Sequence, residues 1–279
     1  MSFRDKAFVA TMHLLPKKPL SRTVRRLASL RAPSVVRRFA ARYGASIEEA
    51  EHPIEAYGSV LEFFTRRLKP GVRPIAQDPK ALVCPVDGAF LAAGLVASGR
   101  LYQAKGREFT LNALLADERA ETFFGAGSYV ILYLAPGDYH RIHAPVSGEI
   151  TGSTYVPGTL FPVNEASMNG VDTLLARNER LITHIDAGPL GRVDVVMVGA
   201  TCVGHMVACY DPDVKTNAGA TTIAHRRYDA AKPIERGAEL GVFEMGSTVV
   251  LVTERPIAWP PRDTRSAVRM GTELGRFAA

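Results

Sequence analysis

The chain has 279 residues, 47% of them hydrophobic, and 34 Lys and Arg against 28 Asp and Glu for a formal net charge of +6. This suffices for one large domain or a domain with a helical appendage, and it excludes disordered, collagenous and disulfide-stapled classes. Cys84, Cys202 and Cys209 form no CxxC pair, so neither a disulfide framework nor a zinc site is suggested, and each reads as a small buried apolar residue in a reducing compartment.

No apolar run reaches the roughly 18–20 residues that span a bilayer, and no signal peptide is evident at the start. A protein kept in the cytoplasm is expected.

The positive excess is concentrated at the N-terminus. Arg4, Lys6, Lys17, Lys18, Arg22, Arg25, Arg26, Arg31, Arg37, Arg38 and Arg42 precede Gly44, with Asp5 the only acid. Phe3, Ala7, Ala10 and Leu14 lie at helical spacing and Pro16 closes the segment. Ser21 is the expected N-cap of a second helix carrying Val24, Leu27 and Leu30. A third restarts at Pro33-Ser34 with Val35, Val36, Phe39 and Tyr43 on one side. Apolar stripes flanked by Arg and Lys suit an interfacial helix, with acyl chains on one side and headgroup phosphates on the other. Ordinary packing on the rest of the chain gives the same pattern. Nucleic acid is disfavoured, because aromatic stacking platforms and a binding motif are absent.

A short helix is expected around 59–67. The proline-rich crossing Lys69-Pro70-Gly71-Val72-Arg73-Pro74-Ile75 marks a domain boundary, giving a helical region at 1–72 and a second domain at 73–279. Short apolar or alternating runs then come at 81–83, 89–96, 129–134, 149–156, 181–185, 193–203, 240–243 and 249–252. Helices are expected near 111–120 and 172–180. The fold class is α+β: a basic helical N-terminal region followed by a mainly antiparallel, sandwich- or barrel-like β domain.

Several places could carry chemistry. Gly246-Ser247-Thr248 sets a hydroxyl nucleophile after a glycine, between two β-like segments. Asp87 follows a strand in Pro85-Val86-Asp87-Gly88, which turn chemistry alone could explain. His140 and His143 would project side by side if their turn is helical. His184, His205 and His225 lack metal-site spacing relative to them, so no metal is expected. The loop from Tyr155 to Asn164 could line an apolar pocket. Asp87, His143 and Ser247 together could form an acid–base–nucleophile set.

In order and spacing these motifs resemble the bacterial phosphatidylserine decarboxylases, which are self-processing pyruvoyl enzymes. The resemblance runs through Glu62-Phe63-Phe64 to Arg73-Pro74-Ile75, Pro85-Val86-Asp87-Gly88 and Gln103-Ala104-Lys105-Gly106. It continues through Asp138-Tyr139-His140-Arg141-Ile142-His143, Tyr155-Val156-Pro157-Gly158 and Leu160-Phe161-Pro162-Val163-Asn164. Ala176-Arg177-Asn178-Glu179-Arg180, Val198-Gly199-Ala200 and Gly246-Ser247-Thr248 complete it. Met245 stands where many members have Leu, a modest apolar change.

The resemblance implies that Asp87, His143 and Ser247 perform self-cleavage between Gly246 and Ser247, by an N-to-O acyl shift and elimination that leave a pyruvoyl group at position 247. It implies a Schiff base between that group and the amine of phosphatidylserine, loss of CO2, and release of phosphatidylethanolamine, with His140 assisting. It further implies a heterodimer of the two cleaved chains, a homo-oligomer, and peripheral attachment to the cytoplasmic face of the membrane through residues 1–72. Two rival readings remain: a serine hydrolase acting on an external ester, although Ser247 lacks the GxSxG elbow, and a non-catalytic membrane-binding β module.

Overall fold

The computed structural model describes residues 2–104, 107–201, 205–217, 219–244 and 248–278. Three helices open the chain: α1 (Phe3–Leu14), α2 (Lys17–Ala28) and α3 (Pro33–Tyr43). A capping box starts α1, with Asp5 N donating to Ser2 Oγ at 3.1 Å and Ser2 N to Asp5 Oδ2 at 2.9 Å. Ser21 is not the N-cap of α2; it lies inside the helix and is buried. The helix begins directly after Pro16, because Pro19 falls in the first turn, where its missing N–H has no partner to lose. Pro33 opens α3, and Gly44 ends it in the left-handed region at φ +63°. Ser59 caps α4 (Val60–Phe64) by accepting from Glu62 N at 3.2 Å.

The strands begin with β1 (Ala81–Val83), β2 (Gly88–Leu95), β3 (Arg100–Ala104) and β4 (Arg107–Thr110). Two short helices, α5 (Leu111–Leu115) and α6 (Ala120–Phe124), occupy the expected helical stretch, broken where Ala116 turns to φ +52°. Next come β5 (Ser128–Tyr133), β6 (Arg141–His143), β7 (Gly148–Val156), α7 (Glu165–Gly170), α8 (Leu174–Arg177), β8 (Arg180–Asp186), β9 (Arg192–Val198) and β10 (Met206–Ala208). The chain closes with β11 (Ala224–Ile234), β12 (Glu239–Phe243), β13 (Thr248–Thr253), β14 (Ile257–Ala258), β15 (Ala267–Val268) and β16 (Glu273–Phe277).

All pairings between these strands are antiparallel. The largest sheet has eight strands in the order β11-β7-β8-β9-β13-β5-β2-β15, and its two end strands do not pair, so it stays open rather than closing into a barrel. Smaller sheets run β1-β16-β14 and β10-β12-β6. The main core gathers the inward faces of these sheets, with Leu132, Val196, Val250 and Leu251 among its fully buried residues. A second, smaller core of Val36, Ala40, Ala45, Ala50, Tyr57 and Phe63 belongs to the N-terminal region. The two regions are not cleanly separate, because Val9 of α1 joins the main core and Phe8 and Met12 pack against it.

Buried continuous runs such as Val249–Val252 were legible as strands. The edge strand β11, mostly exposed and containing Arg226, Arg227 and Pro233, was not, because nothing buries it and no apolar alternation results. Cys84 is buried as expected, whereas Cys209 is exposed, since it sits at the end of the short strand β10.

The turn bearing Asp87 depends on a close backbone approach. A Cβ at Gly88 would lie 2.2 Å from the carbonyl oxygen of Tyr133 on β5. Gly88→Ala should therefore force the two strands apart and cost roughly 1–3 kcal/mol or more, read as a lower denaturation midpoint; an unchanged midpoint would show that the turn can relax.

Candidate active site

The two strands that flank Gly246-Ser247 belong to different sheets. β12 lies in the three-stranded sheet between β10 and β6, and β13 lies at the centre of the eight-stranded sheet. Gly246 and Ser247, like Met245, fall outside the described residues. The chain just beyond them is fixed: Thr248 pairs with Tyr133 of β5 on one side and Val198 of β9 on the other, and every residue of β13 is buried. The chain just before them is close to the histidines. Phe243 N donates to His140 O at 3.0 Å, and Val242 and Arg141 are register partners.

The histidines do not project side by side. Residues 141–143 form β6 rather than a helical turn, and in extended backbone side chains three apart point to opposite faces. Their rings have different neighbours: that of His143 meets Tyr139, and that of His140 meets Phe64.

His143 is pinned at both ring nitrogens. Its Nδ1 lies 2.7 Å from Gly237 O and its Nε2 3.0 Å from the Tyr139 hydroxyl. A carbonyl can only accept, so Nδ1 carries the proton, and the lone pair on Nε2 accepts from Tyr139. Burial lowers the His143 pKa, opposed by the Gly237 bond and by the charges of Glu239 and, more weakly, Asp87. The result is a neutral imidazole in the tautomer a general base needs. Burial likewise raises the Tyr139 pKa and keeps the phenol protonated.

His140 is fully buried, with its ring 3.8 Å from that of Phe64. Its Nδ1 bonds Asp138 O at 2.9 Å, which leaves Nε2 the lone pair, and that atom has no hydrogen-bond partner among the described residues. Burial holds its pKa at about 3. A buried acceptor left unpaired costs about 1–3 kcal/mol.

Asp87 is held by Arg73 rather than by His143. The Arg73 guanidinium donates from Nε at 3.0 and 3.1 Å and from Nη2 at 2.6 Å, and Met270 N adds a bond at 2.9 Å. A charged fork outcompetes a neutral imidazole for a carboxylate. The link to His143 is through backbone instead, as His143 N donates to Pro85 O at 2.9 Å. Tyr139, Gly237 and Arg73 are the site residues that sequence reasoning missed; Arg73 opens the Arg73-Pro74-Ile75 motif, but nothing in the sequence joins it to Asp87.

A cavity of about 930 Å³ adjoins this region, lined by Phe90, Tyr133, Asp138, Val163, Met168 and Trp259 among others. Tyr133 of this lining is the register partner of Thr248. Val163 and Asn164 of the 155–164 loop line it, as the apolar-pocket reading of that loop anticipated. Asn178 holds the loop in place: it accepts from Phe161 N at 2.9 Å and donates to Phe161 O and Gly199 O, each at 2.8 Å.

Comparison with known proteins gives concordant results. Residues 60–276 match the family model described as phosphatidylserine decarboxylase, and residues 7–44 match one described as PSD. The phosphatidylserine decarboxylase proenzyme of Anaeromyxobacter sp. (strain K) is 46% identical, over 98% of this chain and 99% of its own. That of Myxococcus xanthus is 44% identical over 97% and 98%, and that of Brevibacillus brevis 40% identical over 89% of each.

The His140 environment predicts an acid-sensitive fold. Its folded pKa of about 3 lies below the ordinary value of 6.5, so between these the unfolded chain binds more protons and stability falls as pH drops. The slope is up to about 1.4 kcal/mol per pH unit. His140→Phe should flatten this slope in chemical denaturation followed downward from about pH 6.5; parallel slopes would mean that the folded protein protonates this ring freely.

Proposed function

Because the chain belongs to the phosphatidylserine decarboxylase family, and is thus a carboxy-lyase, we propose that it matures by cutting itself between Gly246 and Ser247. The smaller chain, beginning at residue 247, then decarboxylates phosphatidylserine to phosphatidylethanolamine. Residues 73–279 form the catalytic part, and the two cut chains stay together as a heterodimer that itself assembles into a homo-oligomer.

In self-cleavage the Ser247 hydroxyl oxygen bonds to the Gly246 carbonyl carbon while its proton passes to Nε2 of His143. Tyr139 occupies that lone pair, so it either rotates away or hands on its own proton as it takes the one from Ser247. The Gly246–Ser247 C–N bond breaks to give an ester and a free amine. Elimination across Cα–Cβ of residue 247 releases the Gly246 carboxylate and leaves an enamine; this takes a proton at Cβ to become an imine, and water replaces the imine nitrogen, releasing ammonia and leaving a ketone. Gly237 O orients the imidazole, and the Asp87 carboxylate, kept in place by Arg73, favours the imidazolium that forms.

The pyruvoyl group so formed supplies the electron sink for carboxyl loss. The residues described fit it: among them the Nε2 lone pair of His140, on the residue whose backbone bonds Phe243, has no partner and is available to a polar group. That unpartnered Nε2 is the observation that carries the reading. Neutral at working pH, it accepts a proton or bond from the substrate's reacting end, while the cavity beside Tyr133 offers apolar surface for the rest of the substrate.

The substrate carries acyl chains, and residues 1–72 supply the attachment to a membrane surface, on the cytoplasmic face. No helix among the described residues is long and apolar enough to cross a membrane. Phe3 and Leu14 are each 86% exposed, Leu27 61% and Leu30 59%, interleaved with Arg and Lys. Exposed leucines beside cations suit an interface of acyl chains and phosphates.

Intact-mass analysis under denaturing conditions tests the cut: two chains are expected, the smaller blocked and matching a pyruvoyl start at 247. Ser247→Ala should give one inactive chain, and normal cutting in it would remove Ser247 as nucleophile. His143→Ala should slow cutting about 10²–10⁴-fold, and His140→Ala should lower turnover in material already cut. Leu27→Glu with Leu30→Glu should weaken flotation with anionic vesicles at least tenfold, given about 1.5–3 kcal/mol per buried leucine; unchanged flotation would move the docking face elsewhere.

A further inference from the structure

The most basic N-terminal helix reaches the residue two positions before the proposed cut. Arg25 of α2 donates from Nε to Glu244 Oε2, and His205 Nδ1 lies 3.1 Å from the same oxygen. One turn earlier, Arg22 Nε donates to Asn217 Oδ1 at 3.1 Å. Two of the α2 arginines are thus committed to the body of the protein, while Leu27 stays in solvent. Burial opposes the charge on Glu244, but His205 and Arg25 beside it outweigh this and hold the carboxyl at about 2.

The position of this ion pair gives it a consequence. Self-cleavage needs the Gly246 carbonyl and the Ser247 hydroxyl in a near-attack arrangement, which requires both ends of the connecting segment to be fixed. The Thr248 end is fixed by ladders on both sides. The Glu244 end leaves a short sheet whose strands have three to five residues, and among the described residues its backbone is anchored by Glu244 N donating to His205 O at 2.9 Å. The side-chain clamp on Glu244, 19% exposed against 40% for Arg25, is what stiffens that end.

We infer that Arg25 is a positioning residue for self-cleavage, acting through Glu244. The helix that attaches the protein to the membrane thereby also aligns the segment that is cut. This rests on the processing reading above and adds to it a residue remote from the chemistry.

The test tracks the uncut fraction over time in full-length protein freshly made by cell-free synthesis. Arg25→Ala and Glu244→Gln should each slow cutting about tenfold, the scale of one charged hydrogen bond, with little change in denaturation midpoint. Combining them should be no slower than either alone, because they remove the same interaction. Exchanging the charges, Arg25→Glu with Glu244→Arg, should restore most of the rate, which a packing role would not do. Wild-type rates in both single variants, or slowing that multiplies in the double variant, would overturn the inference. A wild-type chain that never cuts, or a Ser247→Ala chain that does, would instead overturn the processing reading itself.

Discussion

The burial of β13 constrains the rest of the molecule. Its residues Val249, Val250, Leu251 and Val252 are completely buried between β5 and β9, and at about 25 cal/mol per Å² of apolar surface such a strand is among the largest single contributions to the fold. A strand paired on both sides cannot slide, since a one-residue slip would turn its apolar faces over. The first residue of this strand is Thr248. The same burial that stabilises the sheet therefore fixes the chain immediately after Ser247, and the cut proposed before it removes no ladder bond of β13.

Around that fixed end the site is assembled from backbone as much as from side chains. Gly237 O decides the tautomer of His143, Asp138 O that of His140, and Pro85 O ties β6 to the turn of Asp87. Each is a carbonyl that can only accept, so each sets a proton position without adding charge. Charge comes from the Arg73–Asp87 pair, whose guanidinium Glu49 of the N-terminal region shares at 2.6 Å, and from Glu239 paired with Arg141. Burial lowers both histidines, and the outcome differs in what meets Nε2: a phenol for His143, and no partner among the described residues for His140.

The N-terminal helices have two faces with different work. Leu14, Leu27 and Leu30 look outward, where an apolar surface with flanking cations fits a lipid interface. Val9, Arg22 and Arg25 look inward, to the main core, Asn217 and Glu244. A helix pattern reports that two faces exist, but not which partner each will meet.

The sequence by itself determined the element types with strong local signals: Pro16 as a stop, the buried runs at 81–83 and 249–252, and the basic helical start. It also determined the family, because the motifs from Glu62 to Thr248 are specific in their order, and with the family came Asp87, His140, His143 and Ser247 as candidates. It misjudged the start of α2 and the side-by-side histidines, where a local rule allowed two conformations. Only the tertiary structure decided that Arg73 takes Asp87, that Tyr139 and Gly237 hold His143, and that Arg25 meets Glu244. Those pairs are separated by as much as 219 positions, and contacts of that range are set by sheet order and register, which leave no periodic trace in the chain.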